Sequence, residues 1–331
     1  RECLSSPTNP KPSIDAGGKM KEEEVNRCQI QNWYPKFKSL TIKTKLHKLP
    51  ESFINYLLDD SVPFLLPSSV TNQNAMPNRI HNPDEEDDDS SSSDDETDPP
   101  PPPSPSFPEL EIEIRDSIEA LGGSIFPKLN WSAPKDAAWI SPSQSLSCSC
   151  FSEIALLLRS SDSILHDLCN AYDSCSDDKA SSRPESFFLA LRKWYPSLKP
   201  EMEFRCFVKA NELVGVCQRE VTTFYPVLVS EKEVFKGLIE EFFDVNVRSV
   251  FELEDYVFDV YVTKERRVKV VDFNTWCGST LPLMFSWEEL EGFRRTAVPY
   301  DYIDVSCGSG WDQVLKKAEE EFRDESDEDV V

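Results

Sequence analysis

The chain has 331 residues, 39% of them hydrophobic, which is enough to bury the core of one large domain or two ordinary ones. Its formal net charge of −25 is concentrated, because residues 84–98 carry −10 and residues 319–331 carry −7, which leaves −8 for everything else. The acidic balance argues against direct nucleic-acid binding. The chain has no run of about 18 apolar residues, which argues against a membrane span. Its ten cysteines are scattered and include no Cys-x-x-Cys pair, which argues against a zinc site.

Three stretches are set apart from the predicted folded body. Residues 1–24 lack apolar periodicity and are predicted to be disordered, and the first residue, Arg1 rather than Met, indicates a fragment or a trimmed chain. Residues 68–106 join Asn-rich, acidic and Pro-rich runs, which cannot bury enough apolar surface to fold, and are predicted to form a disordered insertion. Residues 305–331 are predicted to form a charged helix from about Trp311 and an acidic tail. A single folded body in two lobes is therefore expected over residues 25–304.

The first half of this body is predicted to be mainly helical. A helix is expected over 49–60, with Pro50 at its first position. A second helix begins at Pro108 and ends at Gly122, because apolar residues recur on one stripe between them. That stripe comprises Leu110, Ile114, Ile118 and Leu121. Shorter helices are predicted at 153–159 and 162–172, and strands at 124–126 and 187–194.

The second half alternates strand pairs and helices. Residues 203–208 and 213–218 read as a hairpin around 210–212. Ser230 and Glu233 form a capping-box pattern that predicts a helix start, with core residues Val234, Phe235, Leu238, Ile239 and Phe242. Ser286 and Glu289 form a second capping-box pattern, which predicts another helix start. Tightly joined strand pairs with helices between them indicate the α+β class with largely antiparallel sheets.

A second hairpin, over 258–263 and 268–274, carries the most specific polar pattern. If residues 264–267 form the loop, Asp259 lies opposite Asp272, and Asn274 falls on the same face. Two opposed carboxylates repel, so a cation is expected between them, and these hard oxygen ligands suit Mg²⁺. The alternative is a solvated sheet face with two unrelated acids, and a one-residue slip in register would separate the set.

The chain has only ten glycines and lacks a Gly-rich phosphate loop, so bound phosphates would have to be held by side chains and metal. Lys128, which follows a strand near Trp131 and Ser132, could reach a phosphate or could be an ordinary surface lysine. Arg205 and Arg219 are either phosphate ligands or solvated arginines on a polar sheet face, where Arg205 could pair with a neighbour such as Glu203. Trp194 could cover a base ring or cap the core.

Together these segments resemble the cell division cycle protein 123 family, the assembly chaperones of eukaryotic translation initiation factor 2. The resemblance covers about residues 28–304 outside the insertion. It rests on the ordered motifs NWYPKF (32–37), FPKLNWSAPKDA (126–137), LRKW (191–194), EFRCFV (203–208), QRE (218–220), FDVY (258–261), VDFN (271–274) and FSWEEL (285–290). The chain departs at Glu220, where the family usually has Asp, and at Thr275, where Pro is usual.

The resemblance implies an ATP-grasp-like fold that holds ATP and Mg²⁺ between two sheet-bearing lobes. Asp259, Asp272 and Asn274 would be the magnesium ligands, and Lys128 the phosphate lysine. The remaining nucleotide-binding positions implied by the family are Trp131, Ser132, Ala133, Arg192, Lys193, Trp194, Glu203, Arg205 and Arg219.

The implied function is that of a cytoplasmic, monomeric chaperone that binds the gamma subunit of initiation factor 2 and promotes assembly of the heterotrimer. Through that role it would support translation initiation and cell-cycle progression. The alternative is an ATP-grasp enzyme, a ligase or kinase that modifies a protein, because Mg-ATP ligands look the same in a binder and a catalyst. A nucleotide-stabilised scaffold with no assembly role is a third interpretation. No acceptor site is evident beside the phosphate-binding residues, which favours the chaperone.

Overall fold

The computed structural model describes residues 20–59, 105–177 and 183–292. The predicted insertion outside its last two residues, the helix predicted from Trp311 and the acidic tail lie outside these ranges. The chain divides into two compact units. Within the described residues, unit one comprises 44–59, 105–169 and 185–194, and unit two comprises 20–43, 170–177, 183–184 and 195–292.

Unit one packs helices against a three-stranded antiparallel sheet of order β1-β3-β2. Its elements are β1 (Thr44–Lys48), α3 (Glu51–Leu58), α4 (Pro108–Leu121), β2 (Ile125–Lys128), α5 (Phe151–Arg159), α6 (Asp162–Cys169) and β3 (Phe188–Lys193). The predicted α4 is confirmed: it begins at Pro108, its apolar stripe is buried, and Gly122 ends it with a φ of 100°. A left-handed residue at this position is readily supplied only by glycine.

Unit two is built on a four-stranded antiparallel sheet of order β5-β4-β6-β7. Its elements are α1 (Glu22–Arg27), α2 (Ile30–Phe37), β4 (Glu203–Lys209), β5 (Glu212–Gln218), α7 (Pro226–Phe242), β6 (Tyr256–Val262), β7 (Val268–Thr275) and α8 (Trp287–Gly292). Helix α1 begins inside the segment predicted to be disordered, so residues 22–24 of that prediction are wrong. Three glutamates in its first turn favour this helix start, since they complement the positive end of the helix dipole.

The hairpin of β4 and β5 is confirmed, with Ala210 and Asn211 as its two-residue loop. Both loop residues have positive φ, 49° and 62°, which matches the twist that two-residue hairpins require. The helix start predicted at Ser230 is wrong, because α7 begins at Pro226 and the Ser230 hydroxyl donates to the Val227 carbonyl within the helix. Pro226 lies in the first turn of α7, where proline is favoured, and so marks an earlier helix start than Ser230.

The predicted capping box of α8 is confirmed in both directions. The backbone N–H of Ser286 donates to Glu289 at 2.7 Å, and the N–H of Glu289 donates to the Ser286 hydroxyl at 3.1 Å. On α7, the predicted core positions Phe235, Ile239 and Phe242 are buried, whereas Val234 is exposed. None of the helices in the described part of the chain has the length and apolarity needed to cross a bilayer.

Candidate functional site

One face of the unit-two sheet gathers polar side chains from all four strands. Cys217, Arg205, Asp259 and Asp272 are successive cross-strand partners on β5, β4, β6 and β7. Directly paired residues on antiparallel strands point to the same face. These four side chains therefore form one row across the sheet, which we call the charged row. Asn274 lies two residues beyond Asp272 on the same face, since side chains alternate along a strand.

The predicted pairing of Asp259 with Asp272 is confirmed, but the register that produces it differs from the predicted one. Val262, rather than Thr263, pairs with Val268, and an irregularity between Asp259 and Val260 shifts the register by one residue. The extra residue, Val271, lies on β7. This β-bulge restores the pairing of the two acids, and bulges commonly re-aim side chains in this way.

Arg205 is held by Asp259 in a bidentate ion pair. Its Nε donates to Asp259 Oδ1 at 2.8 Å and its Nη2 donates to Oδ2 at 2.9 Å, while Nη1 donates to the Leu281 carbonyl at 2.9 Å. The two side chains are only 5% and 6% exposed. Burial acts to lower the pKa of Arg205, but the charge and hydrogen bonds of Asp259 outweigh it and leave that pKa raised. Arg205 therefore serves as a fixed counter-ion of Asp259 rather than as a mobile phosphate ligand.

Arg219 approaches the same carboxylate from the end of β5. Its Nε lies 3.4 Å from Asp259 Oδ2, and its side chain is 28% exposed. That Nε is buried and makes no hydrogen bond among the described residues. The backbone N–H of Arg219 donates to the Glu203 carbonyl at 2.8 Å, which fixes the main chain but leaves the side chain loosely held. Asp259 thus lies between two guanidinium groups.

Asp259, Asp272 and Asn274 offer some of the oxygen ligands that a divalent cation needs. Asp272 and Asn274 are half-buried, and the Asn274 side-chain nitrogen has no hydrogen-bond acceptor in the described part of the chain. Two carboxylates and an amide oxygen are hard ligands of the kind that Mg²⁺ takes together with substrate phosphates. No group of three His, Cys, Asp or Glu side chains suited to a metal occurs among the described residues. The chemistry therefore fits Mg²⁺ that also binds a phosphate ligand.

Apolar side chains border the charged row on the same sheet face. Phe207 and Val257, one pair further along β4 and β6, pack with aromatic residues that follow β7 and begin α8. This cluster consists of Phe207, Cys217, Val257, Trp276, Trp287 and Leu290. An apolar border lowers the local dielectric, which strengthens the electrostatic interactions of the charged row.

In unit one, the predicted phosphate lysine is part of a buried polar cluster. Lys128, at the end of β2, is 2% exposed and its ammonium donates to the Trp131 carbonyl. Asp167 on α6 accepts hydrogen bonds from the Ser132 backbone N–H and hydroxyl, both at 2.8 Å, and from the Trp131 N–H at 3.3 Å. Burial raises the pKa of Asp167, although the Ser132 hydrogen bonds and Lys128 oppose that shift.

Sequence patterns did not identify Asp167. It lies 35 residues after Ser132, and only its place beside Leu168 on the buried stripe of α6 distinguishes it from a surface acid. The same segment is fixed to β3 by Asn130, whose side-chain oxygen accepts the Phe188 N–H at 2.7 Å. Buried side chains therefore fix the backbone path of residues 128–133, and with it the position of Ala133.

We expect Asp167→Ala to lower the free energy of unfolding by about 3 kcal/mol or more, because it leaves three donors unsatisfied at about 1–3 kcal/mol each. Asp167→Asn is expected to cost clearly less, since its oxygen can still accept both backbone N–H groups and its amide can donate to Ser132. Urea denaturation of both variants measures the difference. Equal losses for the two would contradict this account of the cluster.

The other predicted positions of unit one lie at the end of β3. Arg192 is buried, with its guanidinium 5.4 Å from the centre of the Phe126 ring, and Trp194 meets the same ring edge-on at 6.3 Å. The Lys193 ammonium lies beside Gly122, 3.3 Å from where a Cβ would stand. The structure thus groups Arg192 and Trp194 around one aromatic ring, with Lys193 next to the end of α4.

The sequence pattern of the D123 family matches residues 33–329. Among curated proteins, a relative from Danio rerio is 46% identical over 271 residues, which cover 82% of this chain and 76% of the relative. A relative from Dictyostelium discoideum is 41% identical over 298 residues, which cover 81% of this chain and 76% of the relative. Both bear the name translation initiation factor eIF2 assembly protein.

Solved structures of Cdc123 from Schizosaccharomyces pombe share this fold. The C-terminally truncated form has 33% identity and a TM-score of 0.67, and the match covers 86% of this chain and 97% of that one. A second structure of the same protein has 34% identity and a TM-score of 0.66, with the same coverage. The predicted α+β class with largely antiparallel sheets is confirmed by the helices and the two antiparallel sheets of the described residues.

Proposed function

This chain belongs to the D123 family, and from that membership we propose that it is a chaperone that assembles translation initiation factor 2 and binds ATP with Mg²⁺. The assembly role follows from the names of its relatives. The charged row and its neighbours are the observation that supports nucleotide binding, because the carboxylates of Asp259 and Asp272 lie close to the amide of Asn274 and to the loosely held Arg219. The proposed partner within the factor is its gamma subunit, and the proposed compartment is the cytoplasm.

In this proposal, Asp259, Asp272 and Asn274 hold the cation, which would neutralise phosphate charge when bound. Arg219 has a guanidinium available to a phosphate oxygen, whereas Arg205 orients Asp259. In unit one, nucleotide binding is proposed from the family resemblance alone for Lys128, Trp131, Ser132, Ala133, Arg192, Lys193 and Trp194. Glu203, at the start of β4 on the charged-row face, would complete the set.

The proposal is for binding coupled to assembly rather than for group transfer. A ligase or kinase would need further groups to hold an acceptor and to stabilise transferred charge. Arg205, the cation of the charged row, already binds Asp259 and the Leu281 carbonyl. A nucleotide that binds the partner-competent state more tightly would suffice to couple ATP to partner binding.

The test mixes purified protein, gamma subunit and labelled ATP, and follows complex formation and phosphate release in the same sample. We expect one-to-one complex formation that depends on Mg-ATP, with turnover too slow to account for assembly. An Asp272→Asn variant serves for comparison, and we expect that Mg-ATP does not promote its complex formation. Rapid, partner-stimulated release of ADP or AMP, or a covalent change on the partner, would replace the chaperone by the enzyme.

A further inference from the structure

The loop between β7 and α8 packs on the charged-row face of the unit-two sheet. It comprises residues 276–286, which we call the strap, and β7 ends one residue after Asn274. Near the other end of the strap, the Phe285 ring meets the Phe207 ring edge-on, with the ring centres 5.6 Å apart. Gly215, the cross-strand partner of Phe207, makes room for this contact, because a Cβ on it would stand only 3.3 Å from the Phe285 ring. The strap is therefore held against the sheet at both of its ends.

Two members of the charged row also bind the backbone of the strap. Arg205 donates from Nη1 to the Leu281 carbonyl at 2.9 Å, while its Nε and Nη2 bind the Asp259 carboxylate. Cys217 accepts a hydrogen bond from the backbone N–H of Met284, which opposes the rise that burial causes in the pKa of Cys217. The middle of the strap is thus joined to the charged row on β4 and on β5.

The backbone of the strap is strained at two residues. Cys277 has a φ of 64° and Leu283 a φ of 59°, a region that residues with a side chain adopt rarely. The Cys277 carbonyl accepts the Thr280 N–H at 3.3 Å, which closes one turn. The Pro282 carbonyl accepts the Phe285 N–H at 3.3 Å, which closes a second turn around Leu283. Such strain persists only where the surrounding structure imposes it, and the carbonyl that meets the charged row lies between these two turns.

The contact with the strap gives the buried ion pair a third fixed point. Arg205 and Asp259 share two parallel hydrogen bonds, and the planar guanidinium and the carboxylate can still swing together as one unit. The Leu281 carbonyl holds the remaining corner of the guanidinium and so opposes that swing. Residues 273–287 contain no charged side chain, so the strap acts on the charged row through its main chain rather than through charge.

We propose that the strap is a positioning element of the cation site: its Leu281 carbonyl fixes Arg205, and Arg205 fixes the Asp259 carboxylate in the orientation that binds a divalent cation together with a nucleotide. This inference rests on the proposed function for the identity of the ligand, whereas the link between the strap and Arg205 is a property of the nucleotide-free protein. Removing a group that orients a metal ligand from outside the coordination shell typically weakens metal binding by about 10–100-fold.

The first measurement is the Mg²⁺ concentration that gives half-maximal binding of ATP to the full chain. Pro282→Gly is the test variant, because proline restricts its own backbone and that of the residue before it, so the substitution loosens the Leu281 carbonyl without changing the charged row. We expect the required Mg²⁺ concentration to rise at least about tenfold. Binding of ATP in the presence of a chelator should stay as in the native protein, whereas a general weakening of the fold would lower both.

Pro226→Gly is the matched control for this measurement. Pro226 begins α7, whose Phe235 packs on Phe204 of the opposite sheet face. The same chemical change at this position should leave the Mg²⁺ requirement as in the native protein. A native Mg²⁺ requirement in Pro282→Gly, or an equal rise in the two variants, would overturn the inference.

Hydrogen exchange in the nucleotide-free protein tests the link between the strap and Arg205 directly. Arg205→Met combined with Asp259→Leu removes both charges together, so no charge is left buried alone. We expect the amides of the strap, that of Met284 included, to exchange at least about tenfold faster than in the native protein, with the amides of α7 unchanged. Unchanged exchange in the strap, or equal acceleration in α7, would overturn the inference. Failure of the native protein to bind ATP with Mg²⁺ would instead reject the proposed function, and the exchange measurement would still decide whether Arg205 holds the strap.

Discussion

An Asp272→Asn variant is expected to bind Mg-ATP at least about a hundredfold more weakly than the native protein, a loss of about 2.7 kcal/mol. Asp272 lies opposite Asp259 in the charged row and is half-buried, so the substitution removes one of the two carboxylates without opening a cavity. Removing one of two opposed carboxylates also relieves repulsion across the hairpin, so we expect no loss of thermal stability. Titration calorimetry, with Mg²⁺ and with a chelator, measures the loss.

The matched control for this prediction is Glu265→Gln, in the exposed loop of the same hairpin. It removes an equal charge outside the charged row and should leave the affinity unchanged. With the chelator present, the native protein and Asp272→Asn should bind ATP with similar affinity, because the lost contact acts through the cation. Unchanged Mg-ATP affinity in Asp272→Asn would remove this residue from the site.

The sequence predicted the pairing of the two acids through an assumed register that was off by one. A four-residue loop was assumed, whereas the structure has Val262 opposite Val268 and an extra residue on β7. A signal of this bulge was present, since Val270 and Val271 are consecutive apolar residues and break the alternation that precedes Asp272. Alternation alone does not indicate which residue of such a pair is extruded, so the exact register required the structure.

The sequence did not identify Asp259 as the partner of Arg205, for a different reason. Pairing it with Glu203 assumed neighbours along one strand, but its partner Asp259 lies 54 positions away on β6. This contact depends on strand order, because β4 lies between β5 and β6 in the sheet. Hydrophobic patterns give strands and tight hairpins, but they contain little information about which distant hairpins lie side by side. The link from Asp167 to Ser132 was missed for the same reason.

Local signals succeeded where one short stretch contained the whole determinant. Pro108, the apolar stripe and Gly122 fixed both ends of α4, and Ser286 with Glu289 fixed the start of α8. At α7, two start signals competed, and Pro226 prevailed over Ser230 because the intervening residues continue the helix without a break. A capping pattern therefore predicts a helix start only when no earlier start signal lies within a turn of it.

Removal of Arg205 is expected to have the largest effect on stability. Arg205→Ala should lower the free energy of unfolding by about 3–5 kcal/mol, because it leaves the buried Asp259 carboxylate without its bidentate partner. Replacing both residues together, as Arg205→Met with Asp259→Leu, should cost clearly less than Arg205→Ala, because no charge is then left buried. Urea denaturation of the single and double variants measures both quantities.

Arg248→Ala provides the scale for this comparison, because its partners Glu212 and Asp244 are half exposed or more and such surface pairs contribute about 0–1 kcal/mol. A loss in Arg205→Ala no larger than the loss in Arg248→Ala would show that Arg205 is not the fixed counter-ion of Asp259. The double variant should also fail to bind Mg-ATP even if it is stable, since Asp259 would supply a cation ligand. Stability and binding would then separate at this pair: the fold would require only that neither charge is left buried without its partner, whereas binding would require Asp259 itself.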